Sequence, residues 1–273
     1  ETEKPLKTLK ASKTMIAMDK KTFIAAIIFM LILITITGAP PIKAVSQTII
    51  VPNDYPTIQD AINAANNGDT IRVSAGRYYE GVLVNKSVAV IGESPETTTV
   101  YGTVEGYQPN NVGNPFHISA NNVIIENLSI TRGDEYHGAI RASSVQNIMI
   151  RNDIVGYDGI GIALENCNNF LIIKNTIQGG GRIEIRSCQF GEVSENTLTD
   201  LEYSVLVYSS PNIKFIENSI FQCDEGIQLT DSANCIFSRN KIGSIIGAIS
   251  GISLSRCPDC VLAENQVTNC TGG

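Results

Sequence analysis

An asparagine recurs seven times in one local setting, and its spacing restricts the fold more than any other feature of the chain. Aligning VIIENLSI, IMIRNDI, FLIIKNTI, FGEVSENTL, IKFIENSI, IFSRNKI and VLAENQV places Asn127, Asn152, Asn175, Asn196, Asn218, Asn240 and Asn265 in register, at intervals of 25, 23, 21, 22, 22 and 25 residues. Six copies are preceded by a second alternating run: AIRAS, GIGIALEN, GRIEIRS, SVLVYS, GIQLTD or GISLS. A unit of roughly 22 residues with short strands and no helical periodicity buries a face only by stacking on its neighbours. The expected fold is therefore all-β, a single-stranded parallel β-helix over residues 47–273, truncated at its C-terminal end after NCTGG.

Alternation assigns the side chains to the two faces of each strand. Ile162 and Leu164, Ile183 and Ile185, Val205 and Val207, Ile227 and Leu229, and Ile252 and Leu254 are expected to stack inside. Three outward columns follow. The first runs Ala139, Gly161, Arg182, Ser204, Gly226, Gly251; the second Arg141, Ala163, Glu184, Leu206, Gln228, Ser253; the third Ser143, Glu165, Arg186, Tyr208, Thr230, Ser255. The seven asparagines read as structural, because a buried turn amide can satisfy backbone groups of its own and adjacent coils.

All seven cysteines lie between Cys167 and Cys270, and an odd number cannot all pair within one chain. Cys167, Cys188 and Cys257 occupy the place that Ser210 and Ser232 take in other repeats, which reads as a stack of small side chains in a turn. Cys257 and Cys260 have the spacing of half a zinc site without a second pair nearby.

Ahead of the repeats, TIIVPNDYPTIQDAINAANNGDTIRV reads strand, helix, turn, strand. Pro56 near the start and the apolar face Ile58, Ala61, Ile62, Ala65 predict a helix over 56–66 that covers the first rung of the solenoid. Earlier still, residues 22–42 carry no charge, and Lys20 and Lys21 flank them. The segment 22–44 is expected to be a signal peptide, with Ala44 a candidate cleavage position, or a signal anchor that holds the protein in a membrane through 22–42. The basic residues 1–21 are expected to be disordered. Export to the surface or beyond follows from either.

Charge excludes one class of partner. The chain carries a net −7, and its first 43 residues hold seven Lys against three acids, a surplus of four, so the remainder carries −11. A body that acidic lacks the basic stripe a nucleic-acid binder needs.

The block from Val51 to Glu93, VPNDYPTIQDAINAANNGDTIRVSAGRYYEGVLVNKSVAVIGE, together with the asparagine repeats, resembles the pectin-lyase-like right-handed parallel β-helix family, in particular its NosD-like, carbohydrate-binding and sugar-hydrolase branch of surface proteins. The resemblance implies a polysaccharide or another surface polymer as partner. Members of that family differ widely in activity, so the chemistry must come from the residues. Arg141, Arg182, Glu184, Arg186 and Tyr208 form the expected sugar-binding strip on the outer face, read first as a noncatalytic scaffold. The alternative is a polysaccharide-modifying enzyme that uses Glu184, Glu202 and Asp224, with Glu202 and Asp224 one coil apart in one column. Turn residues Asp134, Glu135, Tyr136, His137, Asp158 and Glu225 add to that edge. Calcium is the one cofactor the acids allow, and no cofactor is required. Copper is disfavoured, since the chain has two histidines and Met149 reads as core.

Overall fold

A computed structural model describes residues 46–102, 114–131, 138–156, 160–243 and 250–269. All of them belong to one compact unit that begins at Ser46. The region 1–45, with the expected disordered segment and the signal or anchor segment, lies outside the described residues, as do Asp134 to His137, Asp158 and Cys270. The expectation of a transmembrane element is corrected: among the described residues no helix is long and apolar enough to cross a membrane.

The chain winds as a right-handed parallel β-helix with three sheets. Sheet I holds ten described strands, from Thr48–Val51 to Val261–Ala263. Sheet II holds eight, from Val82–Val84 to Ile252–Ser255, and sheet III nine, from Gly76–Tyr79 to Gln266–Thr268. Every pairing is parallel and joins strands of successive coils. One coil, for example, runs from Glu225–Thr230 in sheet II through Ile236–Ser238 in sheet I to Lys241–Gly243 in sheet III.

Apolar alternation fills the interior as expected. The columns Ile162, Ile183, Val205, Ile227 and Leu164, Ile185, Val207, Leu229 are buried. Ile252 and Leu254 continue them in the last described coil, where Leu254 is 37% exposed. Each fully buried aliphatic side chain contributes about 1.5–3 kcal/mol by leaving water. Phe215 and Phe237 extend the interior by stacking with ring centroids 4.9 Å apart.

The second and third outward columns keep the expected register. The first does not. Ala139, Gly161, Ser204 and Gly226 are buried, because several strands of sheet II place two consecutive residues inside, such as Gly161 with Ile162 and Gly226 with Ile227. The coil that begins at Arg182 is one residue shorter and lacks this extra inward position. Its Arg182 therefore pairs with Ile160 across a bulge, not with Gly161.

The helix is shorter than expected, Ile58–Ala64, with Thr57 as its N-cap accepting from the Asp60 amide at 3.0 Å. Glu80 accepts from the amides of Ile58 and Gln59 at 3.0 and 2.9 Å. At the other end Lys86 Nζ donates to the carbonyls of Asn63 and Ala65, both at 2.6 Å. Gln59 bonds the backbone of Leu83 in both directions, so the helix also satisfies the open edge of the first strand of sheet II.

Two ladders of side chains tie the coils together at their corners. Between sheets II and I, Cys188 Sγ, Ser210 Oγ and Ser232 Oγ each accept from the amide of the small residue one coil earlier, at 3.2, 3.0 and 3.0 Å. Their hydrogens go to the carbonyls of Arg186, Tyr208 and Thr230. The cysteines of this column are thus small polar spacers, and the six described cysteines are free thiols.

Between sheets I and III lies the asparagine ladder. Oδ1 of Asn196, Asn218, Asn240 and Asn265 accepts both the backbone amide and the Nδ2 of the preceding asparagine, at 2.8–3.1 Å. The remaining Nδ2 hydrogen goes to a carbonyl one coil earlier: Ile150 for Asn175, Ile172 for Asn196, Val193 for Asn218 and Phe215 for Asn240. Each ladder residue follows one in the left-handed conformation, such as Glu195 or Glu217.

Asn127 and Asn152 do not belong to the ladder. Both have a left-handed backbone, at φ 58 and 55, and stand one residue early; the ladder positions in their coils are Leu128 and Asp153. Asn is well suited to the left-handed position, which is why its recurrence there mimics the repeat.

Asp153 caps the ladder. Its Oδ1 accepts from the Leu128 amide at 2.8 Å, and its own amide donates to Asn175 Oδ1 at 3.0 Å. Its Oδ2 takes the place of an asparagine Nδ2 and has no partner as a carboxylate. Elsewhere that place faces two acceptors, the next Oδ1 and a carbonyl one coil back, here Ile125. Burial, with the charge of Glu126 adding to it against the Leu128 hydrogen bond, raises the Asp153 carboxyl well above its usual range, so the protonated acid is the form that fits.

Two outcomes follow. Replacing Asn196 by Leu unpairs groups in two coils and should lower stability by about 1–3 kcal/mol, read from urea midpoints. For Asp153, a folded-state pKa above the unfolded one means that stability is complete below about pH 4 and falls as pH rises toward the folded value. Asp153→Asn should abolish that slope and stabilise the protein by about 1–3 kcal/mol at pH 7, with little change at pH 4.

Candidate functional site

The outer face of sheet II carries the candidate site, and the shortened coil arranges its side chains. Because Arg182–Arg186 alternates without the extra inward residue, Arg182, Glu184 and Arg186 all project on the outer side of one strand. Glu184 is only 7% exposed and lies between the two arginines. Its Oε2 accepts from Arg182 Nε at 3.0 Å, and its Oε1 accepts from Arg186 Nε. The Arg186 guanidinium also lies over the ring of Tyr208 in the next coil, 4.5 Å from its centroid. On the other side, Arg141 pairs with Glu165 at 3.2 Å.

Together Arg141, Glu165, Glu184 and Arg186 wall a depression of about 270 Å³ floored by Ala163 and Leu164. Ala163 is opposite Glu184 in the outward register, and its small side chain leaves the space open. The arrangement presents guanidinium edges and a tyrosine face on a flat sheet, a surface suited to a planar or ring-shaped ligand with acceptor groups. The five expected strip residues lie within four successive coils, Arg141 two coils before Arg182, Glu184 and Arg186, and Tyr208 one coil after them.

Glu202 and Asp224 are also in register one coil apart, as the hydrogen bond from the Asp224 amide to the Leu201 carbonyl at 2.9 Å defines. Both are exposed. The residue that pattern reading ranked too low is Glu225, which pairs with Tyr203 at the start of the next strand. One of its carboxyl oxygens is covered and unpartnered. Burial, then the charges of Glu202 and Asp224, raise its pKa. The run of two acids, DE, is visible in the sequence; that one oxygen of the second is covered is not. Among the described residues no group of three or more His, Cys, Asp or Glu is arranged to hold a metal ion.

These features define a class, the right-handed parallel β-helices that share their fold with polysaccharide-acting proteins. The family described as right handed beta helix region matches residues 161–273. No curated protein matches the chain. Among solved structures, the pectin methylesterase from carrot is similar over 84% of this chain and 85% of its own, with a TM-score of 0.58 and 13% identity. The A-module of the mannuronan C-5 epimerase AlgE6 from Azotobacter vinelandii is similar over 78% and 71%, with a TM-score of 0.54 and 14% identity. The enzymatically active domain of tailspike protein 2 from bacteriophage CBA120 is similar over 83% and 44%, with a TM-score of 0.53 and 10% identity. At these identities the likeness is one of fold.

Glu184→Gln removes the charge that holds both guanidinium groups of the strip. It should lower the urea midpoint by the equivalent of about 1–2 kcal/mol, after allowing for the half-exposed Arg186.

Proposed function

We propose that the protein is a polysaccharide-acting β-helix that holds an acidic glycan across the outer face of sheet II. The observation that carries this reading is the strip Arg182, Glu184, Arg186 and Tyr208, in which one nearly buried carboxylate fixes two guanidinium groups and one of those covers an aromatic ring. Glu184 is occupied on both oxygens and acts as a positioning residue. The outer edges of Arg182, Arg186 and Arg141 meet the carboxylates of the polymer, and Tyr208 meets a sugar ring. The resemblance of Val51–Glu93 to the NosD-like, carbohydrate-binding branch supports the same ligand class. Export accords with a polymer of this kind.

A second reading, chemical conversion of the bound polymer, is favoured by Glu225. A carboxyl with one covered, unpartnered oxygen, whose pKa is raised by burial and by two neighbouring acids, is placed as a general acid would be, with Glu202 and Asp224 as the flanking bases. The pectin methylesterase and mannuronan epimerase similarities lend weight to this reading over a passive scaffold.

Retention on immobilised polygalacturonate tests the first reading. Changing Arg182 and Arg186 together to Ala should weaken it about tenfold, and added salt should weaken the wild type. Unchanged retention would sink the strip as the binding face. Product analysis on polygalacturonate, methyl-esterified pectin and polymannuronate tests the second: new reducing ends, released methanol or an epimerised sugar, respectively, should appear with the wild type from at least one of them and vanish with Glu225→Gln. Absence of any product from bound polymer leaves the binding function alone.

A further inference from the structure

At the corner between sheets II and I, one column of residues in the left-handed conformation, just ahead of the sheet I strands, runs through seven successive described coils. Six are Asn122, Asn147, Asn169, Asn212, Asn234 and Asp259, types that tolerate this backbone. The seventh is Phe190, at φ 57. An aromatic residue is disfavoured there, and its ring is 58% exposed, so burial does not offset the strain. The core does not need it: the ring of Phe170, one coil earlier, fills the interior beneath Gly191, where a Cβ would come within 2.0 Å of that ring.

Phe190 stands at the rim of a groove of about 390 Å³ that crosses three coils, with Ile236, Lys214, Asn212 and Asn234 along it. The polar groups here are unused. Earlier in the same column Asn147 Nδ2 donates to Asn122 Oδ1 at 2.9 Å. Among the described residues, by contrast, the carboxamides of Asn212 and Asn234 and the ammonium of Lys214 have no intramolecular partner, while the one acid of the groove, Glu192, accepts from the Ser194 hydroxyl.

We propose that this groove is a second saccharide subsite for an acidic pyranoside polymer. A pyranose ring stacks on Phe190, the carboxamides of Asn212 and Asn234 bond its hydroxyls, and Lys214 meets a uronate carboxylate. The inference rests on the glycan reading above and extends it around the corner, since Phe190 follows Arg186 by four residues. A free carboxamide offers both a donor and an acceptor, which matches a sugar hydroxyl. A protein partner would be expected to cover the wider exposed face instead.

The test uses the full chain with hexagalacturonate and neutral xylohexaose, by isothermal titration calorimetry and saturation-transfer-difference NMR. Phe190→Asn restores the residue type of the column, so it should melt at or above the wild-type temperature while its affinity for hexagalacturonate falls at least fivefold. Lys214→Ala should weaken hexagalacturonate and leave xylohexaose unchanged. A lower melting temperature for Phe190→Asn would assign the ring a structural role and overturn the subsite, as would unchanged affinity. Xylohexaose bound more tightly than hexagalacturonate would overturn the acidic specificity. The Arg182 and Arg186 double variant separates the two sites: binding lost there but intact in Phe190→Asn removes the groove alone, and the reverse removes the strip alone. Wild-type binding to neither sugar overturns both.

Discussion

Every coil of this solenoid must turn three times, and each turn removes backbone groups from the sheets that would otherwise satisfy them. The asparagine ladder is the solution at the corner between sheets I and III. One carboxamide supplies an acceptor for the amide of the coil before it and a donor for a carbonyl of that same coil, so each rung completes its neighbour. Such an arrangement is stable only when repeated, because an isolated amide there would leave half of its groups unpaired. The fold therefore depends on register, and register sets what appears on the outside.

That dependence is visible at Arg182. Coil length varies around 22 residues while the ladder stays fixed, and the variation is absorbed where sheet II begins. In most coils an extra residue is turned inward there; in the coil with a 21-residue interval it is missing. The consequence is a strand that alternates cleanly and puts two arginines and a glutamate on one outer side. The strip is thus a product of a one-residue deletion in a repeat. Its charges are held in place by Glu184, whose burial makes sense only as the partner of both guanidinium groups.

Asp153 and Phe190 are departures from column rules, and they differ in kind. Asp153 replaces an amide with an acid inside the ladder, where a bound proton restores the missing donor; the cost appears as a pH-dependent stability. Phe190 replaces an amide with a ring on the outside, where no protein contact restores anything. A departure that the interior compensates belongs to folding. The one left uncompensated at the surface is the departure on which the proposed saccharide subsite rests.

The architecture was legible in the chain itself. A period near 22, alternation within it and the helix-forming block at Ile58 to Ala65 determine a capped parallel solenoid, because no other arrangement buries such short strands, and the inward columns and two of the three outward ones follow from period-two alternation. Sequence could not distinguish Asn127 and Asn152 from the true ladder residues. Asn is favoured both in the left-handed position and one residue later, and only the path of the backbone tells which is occupied. Nor could it place Arg182, since alternation counted from the core assumes no bulge, and the bulge at Gly161 is decided by how each coil fits the one beneath it. The clamping of Glu184, the covered oxygen of Glu225 and the open carboxamides of Asn212 and Asn234 were likewise settled by tertiary structure. Each depends on residues about 22 positions apart, or on neighbours within one strand, meeting in a particular register, and a pattern of residue types does not carry those distances.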